Sequence, residues 1–278
     1  MSNIQFNLPR PVYNRGMFRS RLLFKACLLG CLLLVCPAQA QFIAGGGMVP
    51  ITNFETMWQA NMFQLYANAM NTSQMEINRI ILGSLGRKSN NTSSRPSTSG
   101  ISNSPSTRPT PKATSFQPSP SPLLIDTLTR TLSKDRETQS LLKELFSEGQ
   151  KLYEEEARRL GRSHNLAMAL SYFVGSCYMV ATGQEPSEAS LLAFQATADE
   201  ALGSAPAFKK LSNRERQTLY ELFVHLATLP LAGYVAALQQ NDAKEARVFQ
   251  QLASELLELV LGVKPERLRF GPEGLSIR

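Results

Sequence analysis

Between Asn165 and Gln184 the chain carries no charged residue, and that stretch limits the fold more than any other part of it. Residues 161–183 read GRSHNLAMALSYFVGSCYMVATG. Leu166, Leu170, Phe173, Val174, Cys177 and Val180 recur at helical spacing as a broad apolar face, while Ala167, Ser171 and Gly175 make a narrow face of small residues. A helix with two apolar faces needs neighbours on both. The expectation is an all-α C-terminal domain, an orthogonal or up-down helical bundle around this central uncharged helix, with Ser163 as its N-cap. Asn165, two serines, Thr182 and only moderate hydrophobicity argue against a membrane span.

The flanking sequence supplies those neighbours. Ser121-Pro122 opens the domain with a short helix through Leu124, Leu128 and Leu132, and a long helix follows from Leu141 to Leu160, stopped by Gly161. Pro186 and Ser187 start a helix carrying Leu191, Leu192, Phe194, Ala198 and Leu202, and Phe208 and Leu211 then pack beneath a short turn. Ser212-Asn213-Arg214-Glu215 has capping-box form and leads into Leu219, Leu222, Phe223, Leu226 and Leu229, with Pro230 ending or kinking the run. Asp242 caps the last helix, from Phe249 to Val260, stopped by Gly262. The tail from Arg267 to Arg278 is short, mixed and extended in character. One helix pair near the C-terminus loosely resembles a paired-helix repeat, but no self-similar period accompanies it.

The N-terminal part has a different composition. Arg19, Arg21 and Lys25 precede the apolar run from Ala26 to Val35, and Pro37-Ala38-Gln39-Ala40 follows, which is the pattern of a cleaved export signal. The Ala38-x-Ala40 site places Gln41 at the mature N-terminus. The run is about half the roughly 20 residues that a membrane span needs, so the membrane is expected to be met only through the signal. Leu28-Leu29-Gly30-Cys31 is a poor lipoprotein box, because Lys25 leaves almost no apolar stretch before it. The division that follows is 1–40 signal peptide, 41–82 Gly-rich lead and N-terminal helical pair, 83–120 disordered Ser/Thr/Pro-rich linker and 121–278 all-helical domain.

Within 53–85, Phe54, Trp58, Met62 and Leu65 and then Ile77, Ile80, Ile81 and Leu85 keep helical spacing. This Met- and aromatic-rich pair is a candidate for self-association or for packing on the main domain. The linker cannot bury enough apolar surface to offset its ordering entropy. Asn71, Asn90 and Asn91 fit the N-x-Ser/Thr pattern, although unmodified residues are the expectation under a bacterial-style signal. The net charge of +7 is carried by Arg10, Arg15, Arg19, Arg21 and Lys25 ahead of the apolar run and by five cations of the acid-free linker, so the remainder is slightly acidic. No nucleic-acid partner is expected from that distribution.

Candidate chemistry is sparse. His164 and Asn165, at the start of the central helix, form a candidate functional rim. Cys177 sits about 20 Å from His164 along one helix, too far for a nucleophilic dyad, and is read as a core residue. His225, one turn after Glu221, is read as half of a surface pair, and Glu154-Glu155-Glu156 with Arg158 and Arg159 as a solvated face. No residue is assigned a catalytic, metal or cofactor role, and Gly45-Gly46-Gly47 lacks the lysine of a phosphate loop.

Asn165-Leu166-Ala167-Met168-Ala169, then Ala207-Phe208-Lys209-Lys210-Leu211, Glu215-Arg216-Gln217 and Tyr220-Glu221 follow one another in an order that resembles an uncharacterised family of exported bacterial helical proteins, a domain of unknown function. The resemblance covers about 123–275, leaving out the linker and the first helical pair. It implies an exported helical domain and no activity. The expectation is a non-catalytic binding module, secreted or periplasmic, with a protein partner in the cell envelope. The alternative is a hydrolase-like enzyme with a carboxylate or His164 site in the helical domain.

Starting at Met17 gives the compact basic leader MFRSRLLFK, so translation is expected to begin there and cleavage to follow Ala40. N-terminal sequencing of precursor and product tests both, and a precursor beginning at Met1 would exclude the internal start.

Overall fold

The computed structural model describes residues 113–278. The signal peptide, the Ala38, Ala40 and Gln41 cleavage site, the helical pair at 53–85 and most of the linker lie outside the described residues. An arm over 113–124 leads into α1 (Ile125–Leu132), α2 (Arg136–Arg159), α3 (Leu166–Thr182) and α4 (Glu188–Ser204). One short turn, α5 (Pro206–Lys209), then precedes α6 (Asn213–Gln239) and α7 (Ala243–Leu261). A 3-10 turn (Pro265–Arg267) joins these to a hairpin of β1 (Leu268–Gly271) and β2 (Gly274–Ile277). The domain is all-α, with this hairpin as its only sheet among the described residues.

The central helix is α3. Every residue from Leu166 to Val180 is buried, because α4, α6 and α7 all pack against it. Its N-cap is Asn165, whose side chain accepts from the Met168 N–H, and not Ser163. Gly183 ends it in the left-handed conformation at φ 69°, where a side chain would be strained. The narrow face of small residues meets α4. A Cβ on Gly175 would stand 2.6 Å from Leu191 Cδ2, and Ser171 Oγ donates to the Leu191 carbonyl at 3.0 Å.

Most of the capping signals act as the sequence implies, but Ser121-Pro122 does not open α1, which starts at Ile125 after Leu124 and has no side-chain cap. Asp135, Ser187 and Asp242 accept first-turn N–H groups of α2, α4 and α7, and Ser212 with Glu215 forms the reciprocal capping box of α6. Pro230, by contrast, does not end α6, which continues to Gln239. A proline inside a helix costs about 3 kcal/mol, whereas each buried leucine contributes roughly 1.5–3 kcal/mol. Leu226, Leu229 and Leu231 are all buried around it, so packing outweighs the one lost hydrogen bond. The whole run from Leu219 to Gly233 lies in the core.

Two segments depart from the expected organisation. The domain starts inside the stretch assigned to the linker: Thr114 is fully buried and Phe116 nearly so. Ser115 bridges Asn165 in antiparallel fashion, with the Phe116 N–H donating to the His164 carbonyl at 3.0 Å and the Leu166 N–H to the Thr114 carbonyl at 3.2 Å. The other segment is the tail, which pairs with itself from Leu268↔Ile277 to Gly271↔Gly274. Leu268 and Leu275 are buried. Gly274, at φ +98°, sits so close to α4 that a Cβ would lie 2.7 Å from the Phe194 nitrogen.

Gly175→Leu must push α4 away from α3. The substitution is expected to destabilise by about 2 kcal/mol, a Tm loss of roughly 4–8 °C by thermal circular dichroism. Gly175→Ala should cost less, because only the mobile end of Leu191 has to shift. An unchanged Tm for the leucine variant would mean that the two helices are not in tight contact.

Candidate functional site

The loop between α2 and α3 sends the two residues of the expected rim in opposite directions. His164 takes a left-handed backbone, φ 52°, and its side chain remains 39% exposed. Its Nδ1 lies 3.5 Å from Glu154 Oε1, the same oxygen that accepts a hydrogen bond from the Tyr220 hydroxyl. The imidazole also rests on the rings of Phe116 and Tyr220, at 5.9 and 6.3 Å between centroids. Burial first, then Tyr153 and Glu154 beside it, push the Tyr220 phenol well above its ordinary pKa. This hydroxyl is therefore a fixed donor to Glu154.

Asn165 turns inward and is buried. Its Oδ1 caps α3 at 2.8 Å from the Met168 nitrogen, and its Nδ2 donates to Asp199 Oδ1 at 3.2 Å and to Ser115 Oγ at 3.4 Å. Asp199 on α4 completes the arrangement by accepting from the N–H groups of Ala113 and Thr114, both at 3.1 Å, and from the Thr114 hydroxyl. The group around Asn165 is thus an anchor for the arm. It is separated from the half-exposed imidazole that precedes it in sequence.

A second anchor lies on the first turns of α6. Arg216 donates to the carbonyls of Leu211, Phe208 and Ser115 and stacks on the Phe208 ring at 4.5 Å. Gln217 accepts from the Ser119 N–H at 2.7 Å and donates to the Ser121 carbonyl at 3.2 Å and to Glu221 at 2.7 Å. Glu221, fully buried, accepts from the N–H groups of Leu123 and Leu124 at 2.7 and 2.9 Å. Because Leu124 at the head of α1 has no side-chain cap of its own, this carboxyl from α6 satisfies donors that a helix start otherwise leaves orphaned.

The other candidates resolve as core or architecture. Cys177 is buried, and burial pushes its thiol up. His225 is not a surface partner of Glu221: it is 1% exposed and lies on Phe146 at 5.0 Å between centroids. Neither ring nitrogen has a hydrogen-bond partner among the described residues, and burial pushes its pKa down to about 3. The acidic run also differs from a solvated face. Glu155 is exposed, whereas Glu154 turns to Tyr220 and His164, and Glu156 is buried against Arg159, whose Nε lies at 2.8 Å. Among the described residues no group of three or more His, Cys, Asp or Glu could hold a metal ion.

One concave surface lies elsewhere. The α3–α4 connection and the hairpin turn enclose an open cleft of about 370 Å³ lined by Tyr178, Gln184, Glu185, Pro186, Phe270 and Pro272, among others. It stands at the far end of α3 from His164, about 20 Å along the helix. No local sequence pattern marks it, since its aromatic floor joins α3 to a hairpin that only the tertiary fold brings there.

The chain belongs to a family of unknown function (DUF6683), whose profile matches residues 19–278. The match extends over the linker and the N-terminal pair, which the resemblance seen in the sequence left out. No curated protein and no solved structure matches the chain. Six of the motif residues that carried the resemblance, Asn165, Phe208, Leu211, Arg216, Gln217 and Glu221, hold the arm directly or support a side chain that does.

His225 generates a pH dependence. Its folded pKa of about 3 lies below the ordinary 6.5, so the unfolded chain takes up a proton that the folded state refuses. Its contribution is complete above pH 6.5 and is lost as pH falls toward 3, by about 5 kcal/mol in total. His225→Leu is expected to flatten that part of the stability profile in urea titrations between pH 7 and 4. An unaltered slope would show that the imidazole charges without opening the core.

Proposed function

We propose that the protein is a non-catalytic interaction module exported to the periplasm or cell envelope, where it binds a protein partner. What carries the reading is the use made of its polar side chains. Asn165, Asp199, Arg216, Gln217 and Glu221 are committed to main-chain groups of the arm and to one another. The side chains richest in chemical potential therefore serve architecture, and the open cleft with its aromatic floor is away from them. The basic leader, apolar run and Ala-x-Ala site support export, and the helical spacing within 53–85 supports a second contact or self-association seam.

A second reading, a hydrolase-like enzyme, draws on the approach of His164 Nδ1 to Glu154, since a carboxylate beside an imidazole is an arrangement that general bases use. Cross-linking pull-down of the mature protein from an envelope fraction separates the two. The interaction reading expects a reproducible partner, retained by His164→Ala. Absence of a partner, together with a hydrolytic activity that His164→Ala removes, would replace it with the enzyme.

A further inference from the structure

The cleft beside the hairpin has a lining that defines what it can take. Tyr178 and Phe270 meet edge to face at 5.2 Å between ring centroids. Phe270 is supported from behind by Phe194 at 6.1 Å, and the Tyr178 hydroxyl is tied to Gln184 Oε1 at 3.0 Å. The Ser187 hydroxyl, on the same lining, bonds that of Ser190 at 2.7 Å. These contacts order the surface before anything binds, which lowers the entropic cost of binding. Pro186 and Pro272 stand on the two sides. At about 370 Å³ the cleft is at the small end of ligand sites, of a size for one or two side chains of an extended chain and too shallow to enclose a cofactor.

Charge narrows the choice further. Glu185 belongs to the lining and the exposed Glu273 follows Pro272 at the hairpin turn, while Glu188, in the first turn of α4, acts on Arg159. Arg269 alternates to the strand face opposite Phe270, and Arg159 is engaged by Glu156. Aromatic grooves select proline-containing extended segments, because the proline ring stacks flat and the polyproline conformation is already ordered. An acidic rim adds a preference for a cation next to the proline.

We propose that this cleft binds an extended proline-containing segment with a basic residue, presented by a partner protein. The inference rests on the reading of the protein as an interaction module and assigns the chemistry of what it recognises. The chain's own residues 105–112, PSTRPTPK, carry that chemistry and provide a probe.

A fluorescent peptide of that sequence is titrated against the full chain by polarisation. Saturable binding with a Kd on the order of 100 µM is expected, weakened about tenfold by Phe270→Ala and by Glu273→Lys, and weakened similarly when the arginine of the peptide is replaced by glutamate. The exposed Glu273→Lys variant keeps the test valid should Phe270→Ala unfold the hairpin. No saturable binding, or binding indifferent to these changes, overturns the proposal. Binding that appears only after residues 105–112 are deleted from the full chain also overturns it, because the chain's own segment would then be the occupant. Envelope pull-down with wild type and Glu273→Lys keeps the two readings distinguishable: a partner captured equally by both leaves the interaction module standing and removes the cleft.

Discussion

Two buried carboxyl groups hold this domain to a segment that has no regular structure of its own. Asp199 accepts from the N–H groups of Ala113 and Thr114, and Glu221 from those of Leu123 and Leu124. Each finds its donors in backbone far away in sequence. Breaking a buried charged interaction by removing one side costs about 3–5 kcal/mol, because the remaining group is left without water or partner. The dependence is mutual. Without the arm each carboxyl group keeps one side-chain donor, Asn165 for Asp199 and Gln217 for Glu221, and without the carboxyl groups the N–H groups of Ala113, Thr114, Leu123 and Leu124 lose their acceptors.

The arm then explains features that are otherwise unrelated. Arg216 is aligned by stacking on Phe208, so the short α5 turn exists partly to hold a side chain that reaches Ser115. The left-handed backbone of His164 brings its carbonyl to the Phe116 N–H. Its imidazole stays at the edge of the aromatic group formed by Phe116 and Tyr220. The loop that carries the candidate rim also fastens the arm.

At the opposite end of α3 the hairpin does what the arm does at the first. It covers the exposed side of α4 through Gly274 and contributes Phe270 to a cluster with Phe194 and Tyr178. The surface it leaves is concave and aromatic, whereas at the arm the polar side chains of Asn165, Asp199, Gln217 and Glu221 are engaged with main-chain groups and with one another.

How much of this was legible in the sequence follows from which residues act locally. The uncharged run from Asn165, the small-residue face at Gly175, the Ser212–Glu215 capping box and the burial of Cys177 were readable, because helical spacing and first-turn hydrogen bonds depend on neighbours within four residues. Pro230 does not end α6 because its local cost is outweighed by burial that only the packed core supplies. His225 and Glu221 share a helix face one turn apart, which in isolation reads as a surface pair, yet α2 and the arm cover that face. Asp199 gave no signal at all, since an acid on an amphipathic helix ordinarily faces water. The sequence by itself determined the helices and the helix that had to be central. Only the tertiary structure decided where the domain begins, which polar groups are buried and where a concave surface remains, because those depend on backbone donors and ring faces that meet across distances the local pattern does not encode.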